Sequence, residues 1–464
     1  MRAKKAIAVL MTTAMTVGML AGCGGSDAAE SSTAGESTKV ESAAGSDAVE
    51  TAGTEAAATT DTADLAGTEI SFLNSKGEVQ TALEDMAEVF EAETGIKVEV
   101  LACGAGESPY TKITSAYNSG TAPTMAMLDN TDIMALAEQY AVELSDQEWV
   151  KECVGQVMMV NGGIYSFPFC IEGRGLIYNK TAIEETLGTE FDAASINSYD
   201  ALKGLLESLR AAGMENPVVI SKEDWSLGSH QLGYIYDTYD GTTEGSAELI
   251  NQIKDGSLKT ADYERYNQFM DTLDLLLEYN INGDDPLGAL YDQDPIFLAD
   301  GEAAIWANGC WAWPNIAEAG ASTDDEYGFI PFVLGNDTSD IANNGIQASA
   351  TKQVMIDGEQ ASEQEIAAAK EFLNWLVYSE EGQRMLVEEA AIIPACSNNT
   401  NQPVDPLGQD IQARLASGEV YPSCYIAPGD HWSVLGASMQ KYIAGESDRA
   451  TLAGEIDAYW AAQE

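Results

Sequence analysis

The chain has 464 residues, with 75 Asp and Glu against 22 Lys and Arg, a formal net charge of −53. Such a surface repels phosphate backbones and anionic headgroups, which excludes nucleic-acid binding and attachment to a membrane through a basic patch. Hydrophobic residues make up 45% and aromatics 8%, as in a globular chain, and His230 and His431 are the only histidines, too few for a His-rich metal site.

Arg2, Lys4 and Lys5 open the chain, and Ala6 to Ala21 follow without charge. The run is too short and too broken by Thr and Gly to span a bilayer, so residues 1–22 read as a signal peptide. It ends in Leu20-Ala21-Gly22-Cys23, which resembles the bacterial lipobox. Cys23 is then the lipidated first residue of the mature chain, and two acyl chains hold it stably in the membrane. After Cys23 the segment to residue 64 is Ser, Ala, Gly, Thr, Asp and Glu almost throughout, with Lys39 as its one base. It cannot bury enough apolar surface to offset its ordering entropy, so 23–64 reads as a disordered tether of roughly 35 Å mean reach.

The folded part begins with a strand over 69–73. A helix over 78–94 follows, with Val79, Leu83, Met86, Val89 and Phe90 at helical spacing and Gly95 as its stop. A strand over 96–101, a helix over 109–119 and a strand over 124–128 complete a β-α-β-α-β rhythm, which predicts a mostly parallel sheet covered by helices. Ligands in such sheets sit at the carboxyl ends of strands, here near Asn74 to Lys76 and near Asp129 and Asn130. Farther on, 175–179 and 218–220 read as strands, and 198–212, 261–279, 362–378 and 447–461 as helices.

The motifs of common enzymes are missing: there is no G-x-S-x-G, H-E-x-x-H, G-x-x-x-x-G-K-[ST] or G-x-G-x-x-G. Asp284, Asp285, Asp292 and Asp294 lack the spacing of a calcium loop and read as a solvated acidic loop, so neither a metal nor a cofactor is expected. Beyond Cys23 six cysteines remain without a C-x-x-C pair; export permits disulfides, and the pairing and the alternative of free thiols both stay open. What is enriched is aromatics beside turns. Trp306, Trp311 and Trp313 fall within eight positions around Asn308-Gly309, Trp432 follows Gly429-Asp430-His431, and Trp225 follows Lys222-Glu223-Asp224. Indole faces stack on the C–H faces of sugar rings while carboxylates and amides take the hydroxyls. Trp306 alternates with Ala304 and reads as core, whereas Trp311 and Glu172 read as ligand contacts.

At these residues the chain resembles the extracellular solute-binding proteins of carbohydrate ABC importers, the group that contains maltose-binding protein. The likeness covers roughly 68–464. It rests on Thr94-Gly-Ile-Lys-Val98, Ser119-Gly-Thr-Ala-Pro123, the run Tyr165 to Lys180, Asn308-Gly-Cys-Trp-Ala-Trp-Pro-Asn-Ile316, Ala369-Lys-Glu-Phe-Leu-Asn-Trp-Leu376, Ile393-Pro-Ala395 and Ile456-Asp-Ala-Tyr-Trp460. The resemblance implies an α/β, two-lobed periplasmic-binding-protein-like fold of type II, with a hinge of three crossovers near 170, 343 and 395. One lobe holds 68–170 and 346–393, the other 171–342 and 396–464. It also implies ligand contacts at Asn74, Lys76, Asp129, Asn130, Glu172, Trp225, Trp311 and Trp432; Arg174, an extra base beside Glu172 that departs from the family pattern, is expected to join them. The expected protein is a monomeric, lipid-anchored binding protein on the outer face of the cytoplasmic membrane. It hands an oligosaccharide to ABC permease subunits and has no enzymatic activity. Leu128 and Cys310 stand where maltose-binding protein has an aromatic and a proline. A different oligosaccharide is therefore expected, with an acidic sugar on Arg174 as an alternative. A glycan-active surface enzyme, or the same fold around a non-sugar solute, is the competing reading.

Overall fold

The computed structural model describes residues 64–104, 107–153, 155–322 and 324–463. The signal peptide, Cys23 and all but the last residue of the tether lie outside the described residues. Among the described residues nine strands form one sheet: β1 (Glu69–Asn74), β2 (Lys97–Ala102), β3 (Met125–Asp129), β4 (Phe167–Asn179), β5 (Val218–Val219), β6 (Ile305–Gly309), β7 (Tyr327–Ile330), β8 (Ile346–Ile356) and β9 (Val420–Tyr421). Their order is β2-β1-β3-β8-β4-β6-β5, with β7 on β4 and β9 on β8.

The opening rhythm folds as its pattern predicts. Helix Gln80–Thr94 buries Leu83, Met86, Ala87 and Phe90 on one stripe and ends at Gly95 with φ 75°, where a side chain would be strained. Helix Pro109–Ser119 starts on the Ser108 side chain, which accepts from the Thr111 amide. β1 pairs in parallel with β2 and with β3. Beyond this point the sheet is mixed and not mostly parallel: β3–β8, β4–β6, β4–β7 and β4–β8 are antiparallel, while β5–β6 and β8–β9 are parallel. Two long strands explain the difference. β4 and β8 run side by side from Phe167 opposite Val354 to Arg174 opposite Gln347, with irregular register from Pro168 to Ile171, and each serves both ends of the sheet. A third segment joins them where the Ile171 amide donates to the Ile393 carbonyl at 2.9 Å.

The apolar core is divided along these strands, as a two-lobed fold requires. Phe72, Phe90, Trp149, Phe167, Phe372 and Leu376 lie in one cluster, drawn from residues 65–170 and 354–396. Leu176, Leu206, Phe269, Phe332, Leu435 and Trp460 lie in another, drawn from 176–460. Trp306 is fully buried, as its alternation predicts. Its indole N–H donates to Ser221 Oγ at 2.9 Å, and Ser221 donates to Asp294 Oδ2 at 2.7 Å.

Burial pushes the Asp294 carboxyl up to about 7, with only Ser221 and Lys222 opposing. An acid raised on folding holds its proton in the native state after the unfolded state has lost it, so stability falls as pH rises between about 4 and 7. Asp294→Asn is expected to abolish that fall and to stabilise the protein at pH 8 by roughly 1–3 kcal/mol. Urea unfolding at pH 5 and pH 8 measures both, and unchanged pH dependence in the variant would refute the assignment.

Candidate functional site

The end of β1 and the middle of β4 meet in a cluster of buried charge. The Asn74 side chain accepts from the Lys76 amide at 2.8 Å and donates to the Lys76 carbonyl at 2.7 Å, which turns the chain and aims Lys76 inward. Lys76 is 5% exposed; its Nζ meets Glu78 at 2.7 Å and donates to Glu172 Oε1. The Thr351 hydroxyl donates to Glu172 Oε2. Burial alone would raise the Glu172 carboxyl, but Lys76 and Lys352, with the two hydrogen bonds, outweigh it and hold the group down at about 2. Lys352 in turn pairs with Asp129 at 2.7 Å, its cross-strand neighbour. Asn130 donates to the Ala350 carbonyl at 3.2 Å, and its buried Oδ1 has no protein partner.

Trp311 stands against this cluster. β6 ends at Gly309 opposite Arg174 on β4, so the turn after it returns Trp311 toward Glu172. Lys76, Glu172, Cys310, Trp311, Pro314 and the segment 390–393 line a half-open recess. The Trp311 ring lies over the Gly309 backbone: a Cβ at Gly309 would meet ring atoms at 2.2–2.6 Å. Gly309 has φ −124°, which alanine adopts freely, so Gly309→Ala acts on the ring alone. That variant is expected to shift Trp311 and weaken ligand binding at least tenfold, about 1.4 kcal/mol, with little loss of stability. Binding titrations alongside thermal unfolding test this, and unchanged affinity would sink it.

Trp311 is one of a chain of aromatics. Its ring lies 4.7 Å from His230, His230 lies 5.3 Å from Trp225, and Trp225 lies 5.3 Å from Tyr291. Trp225 precedes a π-type turn, Ser226–Gln231, and His230 lies within it. Helix His431–Ile443, which carries Trp432 in its first turn, packs on that turn through two glycines. A Cβ on Gly228 would meet the Trp432 carbonyl at 2.2 Å, and one on Gly436 the Asp224 carbonyl at 2.4 Å. The helix backbone therefore touches the turn directly, while the Trp432 ring makes no ring contact with Trp225, His230 or Trp311.

Arg174 stands apart from the carboxylate cluster. It is buried, its Nη2 donates to Asp237 Oδ2 at 2.9 Å, and its guanidinium lies 5.2 Å over the Tyr234 ring. Asp237 is fixed further by the amides of Cys424 and Tyr425. His230 and Tyr291 were not legible as site residues. The histidine carries no spacing signal, and Tyr291 lies within the acidic loop. In that loop Asp285 caps the Gly288 amide at 3.1 Å and Asp294 is spent on Ser221. Burial, then Arg174, lowers His230 to about 3, so its ring is neutral near pH 7 and serves as an aromatic face with one donor and one acceptor.

A two-lobed α/β fold with an aromatic array and buried polar groups in a recess defines a solute-binding protein. The chain belongs to the bacterial extracellular solute-binding protein family, whose model matches residues 85–405, and this places it outside the cytoplasm. It is 24% identical over 386 residues to the multiple sugar-binding protein of Streptococcus mutans serotype c, covering 78% of this chain and 82% of that one. In fold it is similar to the binding protein RafE in complex with raffinose, with a TM-score of 0.67 at 19% identity over 85% of this chain and 99% of that one. It is likewise similar to a manno-oligosaccharide-specific binding protein of Bifidobacterium animalis subsp. lactis in complex with mannotriose. There the TM-score is 0.62 at 16% identity, over 86% and 95% of the two chains. No helix among the described residues is long and apolar enough to cross a membrane.

Proposed function

We propose that the protein captures an oligosaccharide between its two lobes and delivers it to the permease of an ABC importer. The observation that carries this reading is the aromatic series Trp311, His230, Trp225 and Tyr291 beside the Lys76–Glu172 recess. Rings that meet edge-on or tilted supply apolar faces for pyranose C–H groups, and neighbouring charges and amides supply partners for hydroxyls. The multiple sugar-binding protein that it resembles and the raffinose and mannotriose complexes of similar fold support that chemistry. In this reading Asn74 shapes the Lys76 turn, and Lys76, Glu172, Asp129 and Asn130 line one side of the cleft. Trp225, Trp311 and Trp432 line the other, and Arg174 stabilises that wall through Asp237. The lobes are 68–170 with 346–393 and 171–342 with 396–464, and β4, β8 and the 393–396 segment form the hinge. The chain acts as a monomer, anchored to the outer face of the cytoplasmic membrane by lipid on Cys23, with no catalytic step. Tryptophan fluorescence across an oligosaccharide panel, with chromatography of the same mixtures, tests this. A saturable change with the sugar intact supports binding, a consumed sugar supports a glycan-active enzyme, and no change with any sugar refutes the oligosaccharide reading.

A further inference from the structure

Beside the aromatic series, β4, β6 and the turn Ser226–Gln231 wall a second, small recess that is open on one side. Arg174, His230, Gln231, Asn308, Tyr234 and Phe332 line it. Tyr234 and Phe332 stack 4.7 Å apart and belong to the core cluster, so the recess backs onto packed side chains. Gln231 is 3% exposed, and neither its Oε1 nor its Nε2 has a protein partner. Arg174 Nε is likewise buried without a partner, although Nη2 of the same guanidinium is held by Asp237. A primary amide buried with both atoms unpaired is costly, so something other than the chain completes it. Asp237 already neutralises Arg174, which leaves no net charge here for a carboxylate or phosphate to answer. The unpaired set is two donors, Gln231 Nε2 and Arg174 Nε, and one acceptor, Gln231 Oε1. That set complements hydroxyl groups, which donate and accept at once.

We propose that this recess, through Gln231 and Arg174 Nε, reads the hydroxyls of the terminal unit of the bound oligosaccharide and so sets which sugar is taken. The inference rests on the oligosaccharide reading. His230 links the two regions, lining the recess while its ring sits 4.7 Å from Trp311. The recess is small and backed by the core residues Tyr234 and Phe332, so it takes a hydroxyl at the end of a chain and not a ring from its middle.

The test uses the full-length protein with raffinose, mannotriose and maltotriose, read by calorimetric titration and thermal unfolding. Gln231→Leu is expected to weaken the best-bound sugar roughly 10- to 100-fold while leaving the unfolding temperature equal or higher, because an unpaired amide has been removed. Gln231→Met, closer in length, stands in should the leucine variant fail to fold. Monodeoxy analogues of the same sugar supply the readout that a structural role would not move. One terminal position should cost affinity in the wild type and cost nothing further in the variant. Unchanged affinity with a raised unfolding temperature would mean that the recess holds only water, and the inference falls while the sugar reading stands. A wild-type protein that binds none of the sugars overturns the sugar reading, and the inference with it.

Discussion

Lys76→Met is expected to destabilise the protein by about 3–5 kcal/mol, because it leaves Glu172 as a buried charge without its main partner. Glu172 is 8% exposed and both its oxygens are committed, one to Lys76 and one to Thr351. Methionine matches the lysine stem, so the loss is one of charge and not of volume. The pH dependence identifies the cause. In the wild type the Glu172 carboxyl sits at about 2, below its usual range, so its contribution is complete above the ordinary value and is lost as pH falls from about 4.5 to 2. Without Lys76 the largest opposing influence on burial is gone and the carboxyl rises. Folding then favours the protonated form, and the variant loses stability as pH increases. Its deficit against wild type should be larger at pH 8 than at pH 4. Adding Glu172→Gln should recover most of the loss, since the charge that needed Lys76 is then absent. Urea unfolding of the three proteins at both pH values decides the matter. A deficit under 1 kcal/mol, or one equal at the two pH values, would show that water and not Lys76 satisfies Glu172.

How far the site could be read from residue order depends on whether a residue's role is local. The strand and helix rhythm from β1 to β3 follows from period and caps, and Gly95 and Ser108 act within their own turns. Trp311 announced itself through three tryptophans around a glycine turn. The full length of β4 did not. Only Gly175 to Asn179 reads as a strand, while Pro168, Gly173 and Gly175 argue against a thirteen-residue one. Pairing with β8, β6 and β7 overrides that weak propensity, a tertiary effect with no trace in the local pattern. Arg174 looked like a free base beside Glu172, yet its partner, Asp237, lies 63 residues away. Gln231 and His230 gave no signal, because an unpaired amide or a sandwiched ring is defined by its surroundings.

The disulfide between Cys153 and Cys396 carries the second large effect. It joins two buried cysteines 243 residues apart, and the Ser397 amide donates to the Glu152 carbonyl at 2.8 Å beside it. An exported protein meets the oxidising conditions in which such a bond persists. Closing so long a loop removes much of the freedom of the unfolded chain, so Cys153→Ser with Cys396→Ser is expected to cost about 2–5 kcal/mol. Reduction of the wild type in urea should lower its midpoint to that of the double variant, and the variant should be indifferent to reductant. Equal midpoints for oxidised wild type and variant would mean that the bond contributes nothing. The loss should also reach the ligand. Ala390 to Ile393 line the recess with Trp311, and Cys396 is three residues beyond the Ile171–Ile393 contact. Releasing Cys396 from Cys153 frees the segment that forms one wall, and ordering it again on binding draws on the binding energy. The variant should therefore bind its ligand more weakly even at temperatures where it remains fully folded.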